Sequence, residues 1–139
     1  MNRRKTGRSA QRRRDGGTPF TPRCLESLRQ DIAAFARERD WERFHTPRNL
    51  LLAVLSELGE AADLIRWQGD AEPAIPPAQR QAWADEIADC AILLVRLADR
   101  SGVDLSAAMR SKLTRAAAKY PAERFRGSSR KYSDPPPSA

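Results

Sequence analysis

Glu57-x-x-Glu60, then twenty-five intervening residues, then Glu86-x-x-Asp89 is the spacing in this chain with the clearest chemical potential. Two carboxylates three residues apart leave a helix on the same face about one turn apart, so two such helices side by side converge four acids on one point. Both pairs also lie on apolar stripes. Leu50, Ala53, Val54, Glu57, Glu60, Ala61 and Leu64 follow helical spacing, as do Ala82, Trp83, Glu86, Asp89, Cys90, Leu93 and Leu97. Ionised carboxylates facing an interior are costly unless protonated, paired with cations or bound to metal. Surface salt bridges are the ordinary reading of one such pair. Two pairs, both on apolar stripes, favour metal. Hard oxygen donors with no cysteine or histidine beside them suit Mg²⁺, or Mn²⁺, over zinc or copper. A di-iron bundle requires Glu-x-x-His, and the one histidine, His45, does not fit that spacing.

The elements that must carry these acids read as helices. A first runs from about Leu25 to Arg39, with Leu28, Ile32 and Phe35 as its inner face. A second is capped by Thr46 with Pro47 in its first turn, and extends to about Trp67. Gly69 and the proline-rich stretch Glu72 to Pro77 separate it from a third, about Ala78 to Ala98. Asp104 or Ser106 starts a fourth, ending near Tyr120 before Pro121. No alternating β-type pattern competes. The fold expected is all-α, a four-helix bundle with disordered N- and C-terminal tails: residues 1–20 a basic tail, 21–121 the all-α domain, 122–139 an extended tail.

Composition sets the outer bounds. With 139 residues the chain holds one domain, and no segment approaches the about 20 apolar residues of a membrane span. The basic N-terminus is not followed by the apolar segment of a signal peptide, so the cytoplasm is expected. Cys24 and Cys90 give no disulfide framework and read as reduced thiols. The net charge of +7 is segregated: residues 1–17 hold seven basic residues and one acid, and the remainder eighteen basic and seventeen acidic. A near-neutral domain with a Gly/Ser/Arg-rich tail argues for a solvated tail over a nucleic-acid surface, with weak nucleic-acid contact by the tail the lesser reading.

Around the acids the chain resembles the MazG-type all-α nucleoside triphosphate pyrophosphohydrolases, most closely their dCTP pyrophosphatase branch. The resemblance is carried by Glu57-x-x-Glu60 with Glu86-x-x-Asp89 and by Glu38-Arg39-Asp40-Trp41, Phe44-His45-x-Pro47-Arg48-Asn49-Leu50-Leu51-Leu52 and Trp67. Val103-Asp104-Leu105, Ser111-Lys112, Tyr120-Pro121 and Ser128-Ser129-Arg130-Lys131-Tyr132 extend it across residues 25–132. It implies Mg²⁺-dependent cleavage between the α and β phosphates of a nucleoside triphosphate, giving a monophosphate and pyrophosphate. Glu57, Glu60, Glu86 and Asp89 would then be both metal ligands and catalytic residues. Trp41, Phe44, His45 and Trp67 would hold base and sugar, and Lys112 and Lys119 would reach the phosphates. A homotetramer built from dimers is also implied. Three positions depart from the pattern: Ala116 replaces an asparagine, Leu93, a further substrate-site position, replaces a tyrosine, and Ile32 replaces a histidine. Broader dNTP or dUTP hydrolysis, and a non-catalytic helical nucleic-acid-binding module using the basic tail, are the alternative readings.

Overall fold

The computed structural model describes residues 24–69 and 75–134. The basic tail, the Thr18 to Pro22 lead-in, part of the proline-rich linker and Pro135 to Pro137 lie outside them. Helices α1 (Leu25–Glu38), α2 (Pro47–Ile65), α3 (Arg80–Arg100), α4 (Leu105–Lys119) and the short α5 (Ala122–Phe125) make up the fold, with a 3₁₀ turn at Pro77–Gln79 and no strand among the described residues. The all-α expectation holds.

Local chemistry sets the boundaries. The Thr46 hydroxyl accepts the Asn49 N–H at 3.2 Å, and Pro47 occupies the first turn of α2. Asp104 is the residue that starts α4, its carboxylate accepting the Ala107 N–H at 2.9 Å. Gly102, at φ +67°, makes the reversal between α3 and α4 in a backbone region other residues avoid. α2 ends at Ile65, short of Trp67, where the Gln68 side chain donates to the Leu64 carbonyl and to Gln79 at the start of α3.

α2 and α3 pack along their length and α1 lies on α3. Leu50, Val54 and Ala61 of α2, Cys90 and Val95 of α3 and Ala36 of α1 form the core. The expected inner face of α1 needs correction: Ala36 is 1% exposed, whereas Leu28 and Phe35 are 42% and 48% exposed. α1 makes one wall of a cavity instead of plugging the bundle. α4 buries no residue at all. The segment after Pro121 is not simply extended. It forms α5, and Tyr120 meets the rings of Phe125 and Tyr132 edge-on at 5.1 and 5.7 Å, aromatic contacts that fold the chain back on α4.

Candidate active site

The close pairing of α2 and α3 brings the two acidic stripes together. Oxygens of Glu57, Glu60 and Glu86 all lie within 4.8 Å of one another, a separation that suits a shared cation. Asp89 stands outside this trio, yet its charge acts on both Glu57 and Glu86. Both of those carboxyls sit above the ordinary value of 4.5. Burial is the largest cause for each, followed by Glu60, Asp89 and then Glu86 for Glu57, and by Glu60, Asp89 and Asp85 for Glu86. Among the described residues no cation pairs with any of the four acids. Salt-bridged surface residues would show such partners. The donor set is all oxygen and its charge is uncompensated, which fits a hard divalent cation.

Beside the acids lies a cavity of about 460 Å³ whose walls include Glu57, Asp89, Ile32, Phe35, Trp41, His45 and Leu93. Trp41 packs edge-on to Phe35 at 5.8 Å and to His45 at 6.2 Å between ring centres. Trp41, His45 and Leu93 thus share one chamber with two of the acids. Phe44 does not join them: it is 54% exposed and lies under the Arg43 guanidinium at 4.7 Å. Trp67, 90% exposed beyond the end of α2, stands apart as well. Lys112 and Lys119 line a different, basic cavity of about 390 Å³ with Arg115, Ala116, Tyr120 and Tyr132. In the single chain the lysines therefore do not meet the carboxylates in one cavity.

Asp31, Ala36, Ile92 and Arg96 also line this cavity, beyond the residues that the sequence singles out. Arg96 is 3% exposed and lines the acid-bearing cavity. Its signal was available: it lies three residues beyond Leu93 on the stripe that carries Glu86 and Asp89, a charge at an inner-face position like the acids themselves.

The MazG-like family model matches residues 58–134. Proteins named dCTP pyrophosphatase 1 are similar over most of both chains. The mouse protein is 49% identical, covering 84% of this chain and 71% of its own length. The human protein is 47% identical, covering 87% and 74%. This chain belongs to the MazG-like family. The crystal structure of a pyrophosphatase from Archaeoglobus fulgidus superposes on this MazG-like chain with a TM-score of 0.66, at 25% identity, covering 76% of this chain and 99% of the other. Among the described residues no helix is long and apolar enough to cross a membrane.

Proposed function

We propose that this MazG-like chain is a Mg²⁺-dependent nucleoside triphosphate pyrophosphohydrolase, with Mn²⁺ able to substitute. It would cleave dCTP or a modified dCTP between the α and β phosphates to dCMP and pyrophosphate, as sanitation of the cytoplasmic nucleotide pool. The observation that carries this reading is the uncompensated trio Glu57, Glu60 and Glu86, of which Glu57, together with Asp89, lines an aromatic-walled cavity. The names of the relatives, dCTP pyrophosphatases, support the substrate class.

Glu57, Glu60, Glu86 and Asp89 are the residues that would hold the cation, which when bound offsets the charge of the triphosphate and of the departing pyrophosphate. Glu57 and Asp89 line the cavity wall, and in this reading one of them would accept a proton from the attacking water. Trp41 offers the base a stacking face, and Leu93 and Ile32 shape the remaining wall.

The same reading includes a homo-oligomer, a tetramer built from dimers. Leu51, Leu55 and Leu58 project from α2 at 51%, 58% and 51% exposure, and α4 buries nothing within its own chain. A neighbouring subunit would cover them and bring Lys112 and Lys119 within reach of the phosphates.

Pyrophosphate release from dCTP, 5-methyl-dCTP, dTTP, dUTP and the ribonucleotides, with and without Mg²⁺, tests the reading on the full chain and on protein lacking residues 1–17. Mg²⁺-dependent release led by dCTP is expected. Comparable rates across pyrimidines would favour a broader dNTP or dUTP enzyme, the reading that the hydrocarbon side chains of Leu93 and Ile32 favour. No release from any nucleotide would leave the non-catalytic module.

A further inference from the structure

Arg96 is the one charged side chain among the buried residues described, and its partners point to a purpose beyond packing. Nη1 donates to Asp99 at 2.7 Å and Nη2 to Glu42 at 3.2 Å, while Nε donates to Nδ1 of His45 at 3.3 Å. Asp99 is itself braced by Arg29 at 2.7 Å, so the guanidinium is gripped from α1, α3 and the turn before α2. Holding a buried cation requires this many partners. The turn is fixed as well: Arg100 donates to the His45 carbonyl at 3.0 Å, and Asn49 donates to that of Phe44 at 3.0 Å.

A guanidinium has donors and no acceptor, so Nδ1 of His45 must be the acceptor and the ring proton must sit on Nε2. Glu42, Arg96 and Arg100 are the charges that act on the imidazole, and Asp31, Glu57 and Asp89 stand along the same cavity wall. Burial, then Arg96 and Arg100, keep His45 below its ordinary value of 6.5 against the opposing pull of Glu42, so the ring is neutral at physiological pH.

We propose that Arg96 is a positioning residue for base selection: by holding the His45 proton on Nε2 it gives the cavity a donor of fixed sense, matched to the bare N3 of cytosine and mismatched to the N3–H of thymine or uracil. This rests on the nucleotide reading above. Ile32, Ile92 and Leu93 supply that wall with hydrocarbon and no hydrogen bond, so a donor of defined sense there weighs heavily in the choice of base.

His45 is the one histidine of the chain, so its ¹⁵N signals are unambiguous in the full-length labelled protein. The free wild-type protein should show a protonated Nε2 and an unprotonated Nδ1 at neutral pH. Arg96→Met leaves Asp99 paired with Arg29 and Glu42 44% exposed, so the fold should persist. It should release the ring into mixed tautomers and lower the dCTP-to-dTTP ratio of kcat/KM about tenfold, the size of one hydrogen bond, with the change falling on KM more than on kcat. Arg96→Lys keeps the charge without the planar fork, so it should restore Tm but not the ratio. A residue that merely tied the turn to α3 would let the ratio follow Tm. A protonated Nδ1 in the wild type, an unchanged tautomer in Arg96→Met, or an unchanged ratio in both variants would overturn the proposal. The tautomer is read without substrate. A wild type that hydrolysed no nucleotide would therefore defeat the function proposed above and leave the Arg96–His45 result standing.

Discussion

Replacing Trp41 by Ala separates two contributions of one side chain. In the free protein the residue is 44% exposed, its ring edge-on to Phe35 and His45. Truncating a fully buried tryptophan costs about 3–5 kcal/mol, so scaling by the part withdrawn from solvent gives a stability loss of about 1.5–3 kcal/mol. A lower denaturation midpoint at unchanged slope would report it. The exposed part is what a base would cover. Losing one base–aromatic stack removes about 1–3 kcal/mol, so KM for dCTP should rise roughly 5- to 150-fold, with kcat less affected. Trp67 is the internal control. At 90% exposure and away from the cavity, its change to Ala should leave stability within about 0.5 kcal/mol. It should raise KM only if a neighbouring subunit closes over it. An unchanged KM in folded Trp41→Ala protein would refute the assignment of this cavity to the base.

Glu60→Gln and Asp89→Asn should each abolish Mg²⁺-dependent turnover while retaining the helical circular dichroism spectrum, and the metal-free variants should melt no lower than wild type because each removes one of four crowded charges. Metal-free stability should rise on acidification: Glu57 and Glu86 sit above 4.5 when folded, so the folded state holds the extra protons and loses stability as pH climbs from 4.5 through the raised values. Below 4.5 the trend should reverse, because the Arg29 and Gln30 contacts hold Glu26 at about 2 and that contribution is lost as pH falls towards it; urea midpoints across pH, with and without saturating Mg²⁺, check both limbs, and Mg²⁺ should flatten the first. Deleting residues 1–17 should leave kcat/KM for dCTP within about threefold. Light scattering at micromolar concentration should find an oligomer, and a monomer would refute that part of the reading.

Much of the acidic face was legible because charge on an apolar stripe is conspicuous. Glu57, Glu60, Glu86 and Asp89 stood out against Val54, Ala61, Cys90 and Leu93, and helical periodicity sufficed to place them on two helices. The cap Thr46 and the stop before Pro121 were equally local. What escaped depends on how helices assemble. Leu28 and Phe35 look like core by spacing, but α1 packs chiefly on α3, so these side chains stay half in solvent. Lys112 and Lys119 sit at the positions that the resemblance marks for phosphate contact, yet α4 swings them to a separate cavity with Tyr132. Arg96 was passed over because a lone arginine among leucines reads as a solvated side chain. Its burial follows from three partners, one three residues on and two more than fifty residues away.

The acids and the leucines are two aspects of one arrangement. Bringing Glu57, Glu60 and Glu86 together without cations opposes the packing of α2 on α3, and the small buried set Leu50, Val54, Ala61, Cys90 and Val95 must hold the two helices together against that repulsion. A core of this size leaves little margin. Two sources can add to it. A divalent cation would relieve the repulsion directly, and a second subunit would cover Leu51, Leu55 and Leu58, which lie on the same helix as Glu57 and Glu60 but are exposed. α2 would then be loaded from both sides, by metal on its acidic face and by apolar burial on the other. Subunit association and metal affinity should therefore be linked. Each stabilises the geometry of α2 that the other needs, so Mg²⁺ should tighten assembly by the same factor by which assembly tightens Mg²⁺. Sedimentation at falling protein concentration, with Mg²⁺ and with EDTA, measures that factor. A dissociation constant indifferent to Mg²⁺ would show that the two faces of α2 act independently.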